Sequence, residues 1–112
     1  MEEIKRKYYK SGQIKTENYY VNSIRHKENG PAIVWYNENR NTELEEYYIN
    51  GKTHRENGPT LIKYFKNGNI ELEVYCKNGK FHKEDGSAII RYNEDGTIKK
   101  ERYFIDGKEK IS

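Results

Sequence analysis

The sequence predicts an all-β protein: an elongated antiparallel meander of four 28-residue β-hairpin repeats with about eight main strands. Three observations carry this. The stretch Glu45–Gly68, EEYYINGKTHRENGPTLIKYFKNG, recurs in the same frame from Glu17 and again from Glu73. All nine glycines fall in three columns of that frame, eight of them directly after Asn or Asp. Both members of such pairs tolerate positive φ, which suits tight turns. No stretch spaces its apolar residues as a helix does, and β-branched and aromatic residues fill the segments between turns.

The chain divides into copies 1–28, 29–56, 57–84 and 85–112 of one domain. The first copy opens on Ile4-Lys5-Arg6-Lys7, where later copies carry the more apolar AIVW, TLIK and AIIR. A lysine-rich outer strand protects a sheet edge, so this copy reads as a polar cap. Later first strands are Ala32–Tyr36, Thr60–Tyr64 and Ala88–Tyr92; second strands are Thr42–Tyr48, Ile70–Cys76 and Ile98–Phe104. Two tyrosine columns run through them: Tyr8, Tyr36, Tyr64 and Tyr92, then Tyr19, Tyr47, Tyr75 and Tyr103. A third full strand per copy would reverse chain direction at every repeat. Asn50–Pro59 is therefore expected to be a structured loop with at most a short bridge of its own. A three-residue loop, Lys66–Gly68, sets Tyr64 opposite Ile70 and Ile62 opposite Leu72, with Val74 on that face. Leu61, Lys63, Glu71, Glu73 and Tyr75 fall on the reverse face. Both faces are then mixed, compatible with a single-layered sheet whose loops fold over one side.

Composition narrows the function classes. Only 33% of residues are apolar and 35% are charged, but eleven tyrosines, three phenylalanines and a tryptophan argue against disorder. The 21 basic and 18 acidic residues nearly cancel, and no basic run exceeds Lys5–Lys7, which weakens a nucleic-acid reading. Lone Cys76 cannot form an internal disulfide, and no apolar run suits a signal peptide or a membrane span. The expectation is a soluble, intracellular, cytoplasmic protein.

Catalytic and metal chemistry find little support. His26, His54 and His82 share a column, but equivalent residues two strands apart lie about 9–10 Å from one another. Ligands of one ion must converge far more closely. Each histidine is expected to pin its loop by hydrogen bonding, and Lys110 replaces it in the last copy. Glu17, Glu45, Glu73 and Glu101 recur in all four copies, unlike two acids tuned to opposite roles. Pairing with basic neighbours or loop backbone is the simpler reading. Cys76 stands in an aromatic column with Tyr20, Tyr48 and Phe104, as a small packing substitute. No catalytic residue, metal ligand or cofactor site is expected, and the protein is read as no enzyme.

In a repeat protein the constant columns describe the framework, so specificity is sought in the variable ones. Ile33 and Trp35, Leu61 and Lys63, and Ile89 and Arg91 share one strand face by period-2 logic. Trp35, the single tryptophan, stands where other copies have Lys or Arg. A large aromatic amid basic residues has the composition of a binding hot spot.

These columns resemble the variant MORN-repeat families, with tyrosine, Asn-Gly, glutamate, tyrosine and Asn-Gly spaced as in Tyr64–Gly68, Glu73, Tyr75 and Asn78-Gly79. The run N-G-K-x-H-R-x-[ND]-G-P-A, here Asn50–Thr60 with Thr60 for Ala, is similar to tandem arrays of bacterial, phage and giant-virus proteins. The resemblance implies an elongated sheet of hairpins used for protein contacts, and some bacterial members are regarded as antitoxins. Lipid contact is proposed for eukaryotic relatives with a glycine-dense G-x-G spacing that this chain lacks. The leading expectation is a protein-binding module that neutralises or sequesters a partner, of antitoxin, immunity or phage counter-defence type. The alternatives are an anionic ligand, nucleic acid or lipid headgroup, held by Lys5, Arg6, Lys7, Lys63 and Arg91, and a self-assembling structural protein.

Overall fold

The turn chemistry is where the fold begins. A computed structural model describes residues 1–110; the last two residues of the fourth copy lie outside the described residues. Asn50 and Gly51 have φ of 50° and 81°, and Asn78 and Gly79 repeat the pair at 50° and 82°. Positive φ at both central residues is the requirement of a type I′ turn, the two-residue connection that matches strand twist. Each such turn closes a short hairpin: β6 (Tyr48–Ile49) with β7 (Lys52–Thr53), and β10 (Cys76–Lys77) with β11 (Lys80–Phe81). In the first copy β3 (Ile24–Arg25) pairs with the end of β2 (Ile14–Val21). In the last, β14 (Lys108–Lys110) pairs with the end of β13 (Ile98–Ile105).

The main strands are β1 (Glu2–Tyr8), β2, β4 (Ile33–Tyr36), β5 (Thr42–Glu46), β8 (Leu61–Tyr64), β9 (Ile70–Val74), β12 (Ile89–Tyr92) and β13. They form one open antiparallel sheet in the order β1-β2-β4-β5-β8-β9-β12-β13-β14, with β3 also on β2. All-β architecture as an antiparallel meander of hairpins is thus the fold. The molecule measures 48 × 36 × 17 Å.

Two local expectations need correction. Tyr64 does face Ile70, but the next pair is Lys63 with Leu72, because Glu71 is an extra residue in β9. This bulge shifts every later pair by one: Ile62 faces Glu73, not Leu72, and Leu61 faces Val74. Two of the three later second strands also stop early, β5 at Glu46 and β9 at Val74, whereas β13 runs through Phe104 to Ile105. Regular pairing breaks at Tyr47 and Tyr75, whose amides donate to the Thr60 and Ala88 carbonyls of the next copy at 2.7 Å each. Chain beyond the break turns into the short hairpin and stacks on its neighbours. The amides of Gly51, Gly79 and Gly107 donate to the carbonyls of Arg25, Thr53 and Phe81, respectively.

The core is small. Ala32, Ile33, Val34, Ala88, Ile89 and Phe104 are its buried apolar residues, with Thr60 and Ser87 buried beside them. Ala32, Thr60 and Ala88 form one column of small residues whose backbone joins both flanking strands. The prolines or serine before them, Pro31, Pro59 and Ser87, set the chain up for that entry.

One hairpin tip departs from the rest. Gly12, Gly68 and Gly96 take φ of 91–93°, whereas the equivalent Arg40 is held at 66°. Nothing lies within 4 Å of a Cβ built on the three glycines, so the disadvantage at Arg40 is one of backbone conformation alone. Arg40→Gly is expected to stabilise the chain by about 0.5–1 kcal/mol. A urea midpoint at or below wild type would count against this reading of the tip.

Candidate binding face

The bulges that move the registers also decide which side chains share a surface. Directly opposed residues lie on one face. Following the pairs from strand to strand gives a continuous row: Lys7, Thr16, Trp35, Leu44, Lys63, Leu72, Arg91 and Lys100. Lys7, Trp35, Lys63, Arg91 and Lys100 are exposed, and Trp35 retains 47% of its surface to solvent. Leu44 and Leu72 are half-buried between them. A parallel row on the same face reads Lys5, Asn18, Ile33, Glu46, Leu61, Val74, Ile89 and Arg102. The structure thus places all six variable-column residues on one face but at different depths. Ile33 and Ile89 are buried and Leu61 is half-buried, so Trp35, Lys63 and Arg91 form the accessible part.

Lys100, Leu44 and Leu72 join this face without having been singled out in the sequence, because the bulge swaps their side. Arg6 leaves the basic set: it sits on the reverse face with its Nε 2.8 Å from Glu17 Oε2. Lys63 Nζ lies 3.7 Å from Glu71 on a half-exposed side chain, a weak tie.

The reverse face is a ladder of carboxylates and tyrosines. Each first-column tyrosine reaches back across a strand junction to the glutamate of the preceding copy. Tyr36 donates to Glu17 at 2.8 Å, Tyr64 to Glu45 at 3.0 Å, and Tyr92 to Glu73. Glu101 accepts from the Ser87 hydroxyl and, at 3.4 Å, from Tyr103 of its own strand. Of the partners expected for the glutamate column, basic neighbours or loop backbone, a basic one is found among the described residues only at Glu17. Burial, then the bond to the carboxylate, pushes the hydroxyls of Tyr36, Tyr64 and Tyr92 up to about 12. At Glu17 burial works upward, but the bonds from Arg6 and Tyr36 outweigh it and hold the carboxyl below its ordinary value.

The H-[KR] dipeptides tie the loops. His26, His54 and His82 accept through Nδ1 from the turn amides of Asn50, Asn78 and Asp106, at 2.9, 3.3 and 3.0 Å. An amide can only donate, so Nδ1 is bare and the proton of the neutral ring sits on Nε2. Nε2 faces Glu28, Glu56 or Glu84 at 3.7, 3.0 and 3.7 Å. The next residue stacks its cation on the second tyrosine column: Lys27 on Tyr19, Arg55 on Tyr47 and Lys83 on Tyr75, at 3.9, 4.0 and 3.8 Å from the ring centroids. Nδ1 therefore ties each histidine to the turn of the next copy, while Nε2 faces a glutamate two residues on in its own copy.

Among the described residues no three His, Cys, Asp or Glu side chains converge as a metal would need, and no helix is long and apolar enough to cross a membrane. Cys76 is half-buried and free. Comparison with protein-family models, curated proteins and solved structures finds no match.

Proposed function

We propose that this chain is a non-enzymatic protein-binding module of MORN-like repeats that presents its Trp35 face to an acidic partner. The observation that carries the reading is the outer row, an exposed tryptophan in line with Lys63, Arg91 and Lys100, where Lys63 has only the weak, exposed contact with Glu71. The recurring histidines, glutamates and tyrosines are occupied by one another, which leaves this row as the chemically uncommitted surface. Tryptophan and arginine on a rigid sheet are favoured anchors of protein interfaces. Coverage of a partner by such an open sheet suits neutralisation or sequestration of antitoxin or counter-defence type, in a reducing cytoplasm that keeps Cys76 a thiol.

The adjacent cations Arg91 and Lys100 favour a second reading, an anionic polymer or lipid headgroup. Self-assembly fares worse. A second copy set against β13 in the register of the internal junctions would oppose Lys7 to Lys100 and Lys5 to Arg102. Two like-charge pairs oppose that contact.

The test is affinity capture with wild type and Trp35→Ala after nuclease treatment. One protein recovered by wild type and reduced at least about tenfold with Trp35→Ala is expected. Equal recovery would remove this face from the function. Capture that vanishes with nuclease, or falls steeply with salt, would favour the polymer.

A further inference from the structure

The outer row has a period, and the period restricts what can lie on it. Neighbouring strands are about 4.8 Å apart, so Trp35, Lys63 and Arg91 follow one another at about 9.6 Å, with Leu44 and Leu72 midway. An extended segment laid across the strands repeats its same-face side chains every 6.7 Å or about that, out of step with the row. An α-helix repeats a face every seven residues, about 10.5 Å, and its intermediate i+3 or i+4 side chains fall about 5 Å along. The helix matches both the long and the short spacing to within about 1 Å per period.

We infer that the row seats an acidic amphipathic helix of a partner protein, lying across the strands. Carboxylates at positions i and i+7 meet Lys63 and Arg91. Apolar residues at i−7 and midway meet Trp35, Leu44 and Leu72. Charge settles the sign: Lys7, Lys63, Arg91 and Lys100 stand on the row with no acidic residue among its eight members. The exposed pair of Lys63 with Glu71, at 3.7 Å, is weak enough for an incoming carboxylate to replace. Leu44 and Leu72 favour a helix over a nucleic acid, since a phosphate backbone brings nothing apolar to cover them. This inference rests on the protein-binding reading and names the class of partner.

The chain reports on the site by itself, because Trp35 is its single tryptophan. The probe is a helix-forming peptide of roughly three heptads, with Glu at every seventh position opposite the cations and Leu midway. Its control has the same composition with the Glu residues spread around the helix. Titration is expected to blue-shift Trp35 emission with the in-register peptide. The control, and the in-register peptide on Lys63→Glu/Arg91→Glu, should each bind at least about tenfold more weakly. These surface substitutions leave the core intact, and unchanged circular dichroism checks that.

Equal binding of both peptides, or no change in Trp35 emission, would overturn the helix. Tighter binding of a single-stranded oligonucleotide than of the in-register peptide would overturn it in favour of nucleic acid. If captured protein still depends on Trp35 while the peptides do not differ, the helix falls and the protein-binding reading stands. If neither capture nor peptide binding responds to Trp35→Ala, both fall.

Discussion

Raising the pH from about 9 to about 12 is expected to destabilise the protein by about 3 kcal/mol through three of its tyrosines. Tyr36, Tyr64 and Tyr92 each have a hydroxyl shifted from its ordinary value of 10.0 to about 12. Burial is the first cause, and the hydrogen bond donated to a glutamate of the preceding copy is the second. A folded-state value raised above the unfolded one means that the folded chain prefers the protonated phenol. The stabilisation is therefore complete below pH 10.0 and is lost as pH rises from there through about 12. Ionisation would set a phenolate against the carboxylate that now accepts its proton. Because the hydroxyls are partly exposed, each bond contributes about 1 kcal/mol, and together the three contribute about 3 kcal/mol. Urea midpoints against pH, with tyrosinate absorbance in parallel, check this. The triple variant Tyr36→Phe, Tyr64→Phe, Tyr92→Phe should start less stable and lose less on the alkaline side. A variant with the same alkaline slope as wild type would sink the account.

That ladder shows what the sequence did and did not reveal. Tyrosine and glutamate columns were plain as columns, and their period announced a meander of hairpins. Their partnership was hidden, because Tyr64 and Glu45 are 19 residues apart and on strands that meet only once the sheet is assembled. The turns were legible because Asn-Gly needs no tertiary context to favour positive φ. The faces were not. A single bulged residue such as Glu71 transfers Leu72 and Val74 to the other side, and period-2 reasoning has no means of seeing it. The binding row was therefore half legible: Trp35, Lys63 and Arg91 followed from alternation within one strand, whereas Leu44, Leu72 and Lys100 depended on the register across strands.

The second large effect is expected at Phe104. With few buried residues, stabilisation of this sheet is concentrated where neighbouring copies interlock, and the last hairpin is the extreme case. Phe104 is 6% exposed, forms a buried cluster with Ala88 and Ile89 against which Leu72 and Val74 pack, and meets the Phe81 ring at 5.1 Å between centroids, tilted by 58°. Earlier copies place Tyr20, Tyr48 and Cys76 in this column, each only half-buried. They can afford less contact because another hairpin follows them. Beyond Phe104 the described sheet has only β14, so its ring with Phe81 closes the apolar row that Ile89 and Val74 leave open. Phe104→Ala should cost about 3–5 kcal/mol, a large share of the stability a chain of this length holds. Cys76→Ala, in the same column, should cost less than about 1.5 kcal/mol, since it removes one half-buried atom. The loss should also be local first. Amides of β12 and β13 should exchange faster than those of β4 and β5, because a repeat sheet couples each unit chiefly to its neighbours. Equal costs at Phe104 and Cys76, measured by urea denaturation, would mean that stabilisation is spread evenly along the sheet and that the closing role of the Phe81–Phe104 pair is mistaken.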